Sequence, residues 1–283
     1  LQIRSRALQK NLAIKERVRV FVLSSGSSGN ATIIEADGTR VLIDAGIGPK
    51  KAVRAMRALG GEIFPRGFDA IVVSHHHGDH MAHLDQLARA SGAPLYLHSG
   101  IEAPSARKKF EVREYEAGAH FRVGELTVRT LPIPHDAPQV AISVHSSTRA
   151  FAIVTDLGHA PRALVNFLAE CDAALLEANY CHDLLHSGPY PMRLKTRVSG
   201  DFGHLSNDQT AELALRLVGS RLTRLYLCHL SKANNSPARA LWGVREMAPE
   251  IESSVIAHGE PHLLEIEATP PARRRAEQLT LSF

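Results

Sequence analysis

Five apolar runs in this chain end in a histidine or an aspartate. "RVLI" ends at Asp44, "AIVVS" at His75, "TVRTLPIP" at His135, "FAIVT" at Asp156 and "RLYLC" at His229. Short apolar runs of this kind read as buried strands. If the strands lie side by side in facing sheets, their carboxyl ends share one edge and the five polar side chains converge. That requirement constrains the fold more than any composition figure.

The rest of the chain supplies elements to match. "VRVFVL" (18–23) reads as a strand, and "ATIIEA" and "RVLIDA" flank Asp37-Gly38, a two-residue hairpin signal. "PKKAVRAMRALGG" reads as a helix with Pro49 near its start, Ala52, Met56 and Leu59 on one face, and Gly60-Gly61 as its stop. Further hairpins are expected around Gly124 and around 146–148. Helices are expected over "HLDQLARASG", "PRALVNFLAEC", "NDQTAELALRLVG" (capped by Asn207 or Asp208) and "SPARALWGVREM". Late strands are expected at 253–257 and 262–267. Residues 178–206 read as one long irregular loop, a length that is usually functional. Hairpins mixed with single helices indicate two sheets packed together with helices outside.

The stretch "SHHHGDH" (74–80) is the densest in chemistry. In extended chain His75 and His77 share a face. Gly78 can bend the backbone and turn Asp79 and His80 towards a second point. One loop can then feed two adjacent metal ions, the first completed by His135 and the second by His229, with Asp156 bridging. Imidazole and carboxylate donors suit zinc, manganese or iron. His76 and His83 read as bystanders that point off the ligand face or support it, and a carboxylate such as Asp44 more often orients a ligand through hydrogen bonds than binds metal.

These residues, with "PIPHD", "TDLG" and "CHLS", resemble the metallo-β-lactamase fold superfamily of binuclear metal hydrolases over about residues 18–268. "LSSGSSGN" (23–30), "GPYPMRLKTRVSGDFGHLSN" (188–207) and "HLSKANN" (229–235) resemble its YycJ/WalJ (VicX) group, regarded as exonuclease-like. The resemblance implies an α/β fold, a four-layer αββα sandwich of two mixed sheets. It implies two divalent ions held by His75, His77, Asp79, His80, His135, Asp156 and His229, and DNA as substrate. It makes His204 a site residue. "EANYCHDLL" (177–185) follows the group's Glu-x-Asn-His-Asp segment only loosely.

The chemistry expected is a phosphodiester displacement at a pair of cations that activate a bridging water. Asp79 and His204 are the candidate catalytic residues, with His204 as proton donor or phosphate contact. Arg193, Lys195 and Arg197 alternate in "YPMRLKTR" and in extended chain form a track for phosphates. Asn30 and Asn234 are further candidate substrate contacts. Ser206 and Asn207 read as helix caps, and Cys228 as a core thiol. The alternatives are a small-molecule hydrolase on the same fold, acting on cyclic phosphates or thioesters, and a non-catalytic metal-stabilised binding module.

Composition bounds the setting. The chain has 283 residues, enough for one large domain, and a net charge of +4 that allows an anionic substrate. Three cysteines make no disulfide framework and point to a reducing, cytoplasmic location. No apolar run reaches the roughly 20 residues of a membrane span, and no obligate protein partner is marked. Residues 1–17 read as a flexible extension, 18–268 as the hydrolase domain and 269–283 as a flexible tail.

Overall fold

The apolar runs do become strands; those before Asp44, His75 and Asp156 are buried on both faces, and those before His135 and His229 alternate. A computed structural model describes residues 17–267. Residues 1–16 and the tail from 268, where the two expected extensions fall, lie outside the described residues. The first half runs β1 (Val18–Ser24), β2 (Ala31–Ala36), β3 (Thr39–Ile43), α1 (Pro49–Ala58), β4 (Ala70–Val72), α2 (Gly78–Met81), α3 (Leu84–Ser91), β5 (Leu95–His98), α4 (Pro104–Lys109) and β6 (Val112–Tyr115). The second runs β7 (His120–Val123), β8 (Leu126–Ile133), β9 (Gln139–His145), β10 (Ala150–Val154), α5 (Arg162–Ala169), β11 (Ala173–Glu177), α6 (His182–Ser187), α7 (Met192–Ser199), α8 (Asn207–Leu217), β12 (Arg224–Cys228), α9 (Pro237–Met247), β13 (Glu252–Val255) and β14 (His262–Ile266).

Two seven-stranded sheets result, ordered β14-β1-β2-β3-β4-β5-β6 and β13-β12-β11-β10-β9-β8-β7. Both follow one plan. Pairing is antiparallel up to β3 in the first sheet and up to β10 in the second, then parallel beyond. Asp44 follows β3 and Asp156 follows β10, so each stands where antiparallel pairing gives way to parallel.

Strand alternation divides the core. Ile34 and Val22 meet Val128, Ile142 and Phe151 between the sheets. Their neighbours Ile33 and Leu42 face outward to Met56 of α1 and Leu87 of α3. Val154 and Leu227 pack on Leu164 of α5, Leu213 of α8 and Val244 of α9. Each sheet is therefore covered on both sides, which gives four layers and explains why β10 reads as an unbroken apolar run. Each such side chain, fully buried, contributes about 1.5–3 kcal/mol. Cys228 lies buried between the sheets, and all three cysteines are free. Among the described residues no helix is long and apolar enough to cross a membrane.

The segment 178–206 departs from expectation. It holds α6 and α7 rather than one irregular loop. Helices of six and eight residues are too short for a clear 3.6-residue period, and "GPYP" hides the boundary between them. α4 and β6 also went unread, for the same reason of length. Ser206 caps α8 with a full capping box: its side chain accepts from Gln209 N, and the Gln209 side chain accepts from Ser206 N. Neither Asn207 nor Asp208 takes that place.

Candidate metal centre

The polar residues at the strand ends meet at one edge of the sandwich. His75 lies on the loop after β4, His135 follows β8, Asp156 follows β10 and His229 follows β12 directly. Potential ligand atoms of His75, His77 and His135 lie within 4.8 Å of one another, as do those of Asp79, His80 and His229, and those of His75, His80 and Asp156. The two groups share a floor, with the His75 and His80 ring centroids 4.2 Å apart.

Backbone conformation aims several of these groups. Asp44, Asp156 and His229 all have left-handed φ, at 62°, 59° and 56°. Non-glycine residues held there cost of order 1–3 kcal/mol each and cluster at functional sites. Gly78, in contrast, is not left-handed and has open space around it. The turn from His77 to Asp79 comes instead from α2, which starts at Gly78 with extended His77 (φ −64°, ψ 150°) as its N-cap. Gly46 is the glycine that matters. A Cβ there would lie 1.8 Å from the Asp79 carbonyl oxygen, so only glycine lets the loop after β3 lie against α2.

The imidazoles of His75, His80, His204 and His229 are each held at Nδ1, whereas His135 Nδ1 is buried without a partner among the described residues. Asp44 Oδ2 lies 2.7 Å from His80 Nδ1, while the same carboxylate accepts from Ser74 N at 2.8 Å and from Ser74 Oγ at 3.0 Å. Glu177 Oε1 lies 2.9 Å from His229 Nδ1 and 2.8 Å from His204 Nδ1. Ser74 Oγ is 3.1 Å from His75 Nδ1. Such partners fix ring orientation and leave Nε2 for a ligand.

Electrostatics follow from this packing. Burial and the neighbouring His80 hold His75 far below the usual imidazole range. Burial disfavours a charged His80, yet the Asp44 and Asp156 carboxylates outweigh it and push its pKa up to about 10. Burial opposes charge on His229 and Glu177 too, and each is overcome by its partners: His229 is raised by Asp156, Asp79 and Glu177, and Glu177 is lowered by His204 and His229.

The donor set fits divalent cations. His75 Nε2 and His229 Nε2 are buried with no hydrogen-bond partner among the described residues. Unsatisfied buried polar atoms cost about 1–3 kcal/mol each. His135 Nε2 faces His77 Nδ1 at 3.3 Å, and Asp156 Oδ2 lies 2.9 Å from His80 Nε2. Converging imidazole nitrogens and carboxylates of this kind are metal-binding chemistry.

Residues 39–230 match the family model described as the beta-lactamase superfamily domain. The chain belongs to the metallo-β-lactamase superfamily. Within it, the chain is 33% identical over 223 residues to "Exodeoxyribonuclease WalJ" of Streptococcus pneumoniae, covering 76% of this chain and 82% of that protein. It is 27% identical over 239 residues to "Exodeoxyribonuclease YycJ" of Bacillus anthracis, covering 81% and 88%. Among solved structures, the metallo-beta-lactamase fold protein YhfI of Bacillus subtilis aligns with a TM-score of 0.69 at 16% identity, covering 89% of this chain and 100% of that one. That likeness is one of fold. The αββα sandwich of two mixed sheets is the superfamily's fold, and membership implies divalent metal ions, for which the clustered histidines and aspartates are the candidate ligands.

The other sequence-predicted residues fall in different places. His204 lines the cleft above the ligand cluster, about one-fifth exposed, with its Nδ1 on Glu177. Asn30 is buried; its Oδ1 accepts from Gly26 N at 2.8 Å and its Nδ2 stands 2.9 Å from His80 Nε2. Asn234 is fully buried, with its backbone oxygen accepting from Cys181 N. The extended track of Arg193, Lys195 and Arg197 does not form, because these residues lie on helix α7. At 100° per residue they do not share one line. Arg197 pairs with Asp136 at 2.7 Å, and Lys195 Nζ donates to the His186 carbonyl at 2.6 Å.

Sequence reasoning missed Glu177 and Asp136. Glu177 ends the apolar run "AALL", so the rule that found the other five strand ends would have found it. Asp136 follows His135, with Oδ1 3.4 Å from His77 Nε2 and 3.3 Å from His135 Nε2. No spacing marks it.

Proposed function

We propose that this protein is a binuclear, divalent-metal-dependent nuclease that hydrolyses DNA phosphodiesters from an end, in the cytoplasm. The observation that carries this reading is the convergence of His75, His77, His135, Asp79, His80, Asp156 and His229 beneath a cleft that also holds His204. His75, His77 and His135 would hold one cation. Asp79, His80 and His229 would hold the other, and Asp156 would reach both. Zinc, manganese and iron all suit these donors. Cations bound there supply Lewis acidity toward water and phosphoryl oxygens.

The chain's own groups do the rest. Asp44 and Glu177 fix His80 and His229, and Ser74 fixes His75, so that their Nε2 atoms stay aimed inward. Asp79, only partly buried, sits at the floor where substrate enters. Glu177 holds His204 through Nδ1 and leaves Nε2 for the leaving oxygen, which makes His204 the proton donor. The names of the two exodeoxyribonuclease relatives support DNA as the substrate class.

The test is turnover of end-labelled single- and double-stranded DNA and RNA with Mn²⁺ or Zn²⁺, beside an Asp79→Asn control. Metal-dependent release of nucleotides from DNA by the parent, absent in the control, is expected. Equal cutting by both proteins, or none by either, would refute the proposal.

A further inference from the structure

The cleft above the ligand cluster has a lining of two kinds. It encloses about 400 Å³. One part is Tyr190, Leu194 and Val198, backed by Tyr180 and Leu185. Another part is Ser27 and Lys232. Ser27 and Ser28 are exposed at the tip of a turn between Gly26 and Gly29, whose φ values are +114° and +126°.

That turn is held firmly. His229 N donates to Ser25 Oγ at 3.2 Å, Gly259 N donates to the Ser25 carbonyl at 3.1 Å, and Ser28 Oγ lies 3.0 Å from His258 Nε2. Lys51 Nζ donates to Ser24 Oγ at its foot. Lys232, three residues past His229, is exposed and forms no ion pair among the described residues. Arg197, also in the lining, is already paired with Asp136. Among the lysines and arginines of the lining, Lys232 is therefore the one without an ion pair among the described residues, in the same cleft as the Tyr190 ring.

Resting on the nuclease reading, we propose that this cleft is a one-nucleotide subsite. The base lies on Tyr190, with Leu194 and Val198 behind it, and a phosphate flanking the scissile one is held by Lys232 and the Ser27–Ser28 turn. Base–aromatic stacking with a cationic backbone contact is the usual means of gripping single strands. The volume is at the low end of the roughly 300–1,000 Å³ of small-molecule sites. It is of a size to take one nucleotide. The unit recognised is a single-stranded terminal nucleotide.

The probe is deoxyadenosine 3′,5′-bisphosphate, which has one phosphate for the ligand cluster, one for Lys232, and no diester to cut. Binding to metal-loaded protein is measured by calorimetry beside the two monophosphates. The bisphosphate should bind about tenfold tighter than either monophosphate, and Lys232→Ala should erase that gain. Tyr190→Ala should weaken all three about tenfold, while Tyr190→Phe, which keeps the ring, should bind as the parent does. Failure of the parent to bind the bisphosphate, or unchanged binding in both Lys232→Ala and Tyr190→Ala, would overturn the subsite. DNA turnover is scored separately. A parent that cuts DNA while both variants bind normally loses the subsite and keeps the nuclease reading. A parent that shows both binding losses yet cuts nothing keeps the subsite and loses that reading.

Discussion

One buried carboxylate, Glu177, holds two imidazoles, His204 at 2.8 Å and His229 at 2.9 Å. Asp44 holds one, His80. This difference separates their variants. Asp44→Asn and Glu177→Gln should each weaken metal affinity about 10–100-fold, measured by chelator competition with the fold checked by circular dichroism. At saturating metal, Asp44→Asn should recover most of its DNA-cleavage rate. Glu177→Gln should stay about 100-fold slow, because His204 has lost the partner that holds its ring. Equal recovery of both variants would remove His204 from proton transfer.

At the scale of elements, the site is a set of strand ends, and its precision comes from the loops behind them. Gly46→Ala would push a methyl into the Asp79 carbonyl. Urea unfolding should show a loss of about 3 kcal/mol or more, along with reduced metal uptake. Ser206→Ala removes the α8 cap and should cost about 1 kcal/mol, with metal content unchanged. These loops also mark how far the sequence could be read. Strands such as β3 and β10 were legible because burial on both faces leaves an unbroken apolar run, and β8 because its buried residues alternate; a ligand at the end of each run revealed their common edge. Asp37-Gly38 was legible because both residues take positive φ, 49° and 78°, as a tight hairpin turn demands. α6 and α7 were not, being short and separated by prolines. The reading of "RLKTR" as extended failed for that reason, and with it the phosphate track. Lys232 gave no local signal, since only the tertiary fold brings it into one cleft with Tyr190.

For the whole molecule, acid and metal both bear on stability. Burial would raise the Glu35 pKa, but Arg40 and Arg19 hold it below the usual carboxylate range. A folded pKa below the unfolded one, about 4.3, gives stability that is present above that pH and lost as pH falls through the folded value. Glu35→Gln should therefore flatten the decline in urea-unfolding stability below about pH 4.3. Metal bound only by the native state stabilises it by about 2.7 kcal/mol at 100-fold excess over Kd. A domain of this size should then melt roughly 5–10 °C lower after chelation. The central claim, that seven side chains from the segment after β4 and from three other strand ends together hold two cations, is tested most directly by anomalous diffraction from crystals grown with Mn²⁺. Two peaks are predicted about 3.5–4 Å apart, one beside His75, His77 and His135, the other beside Asp79, His80 and His229, with Asp156 between. No peak at this cluster, or manganese bound only elsewhere, would contradict the account.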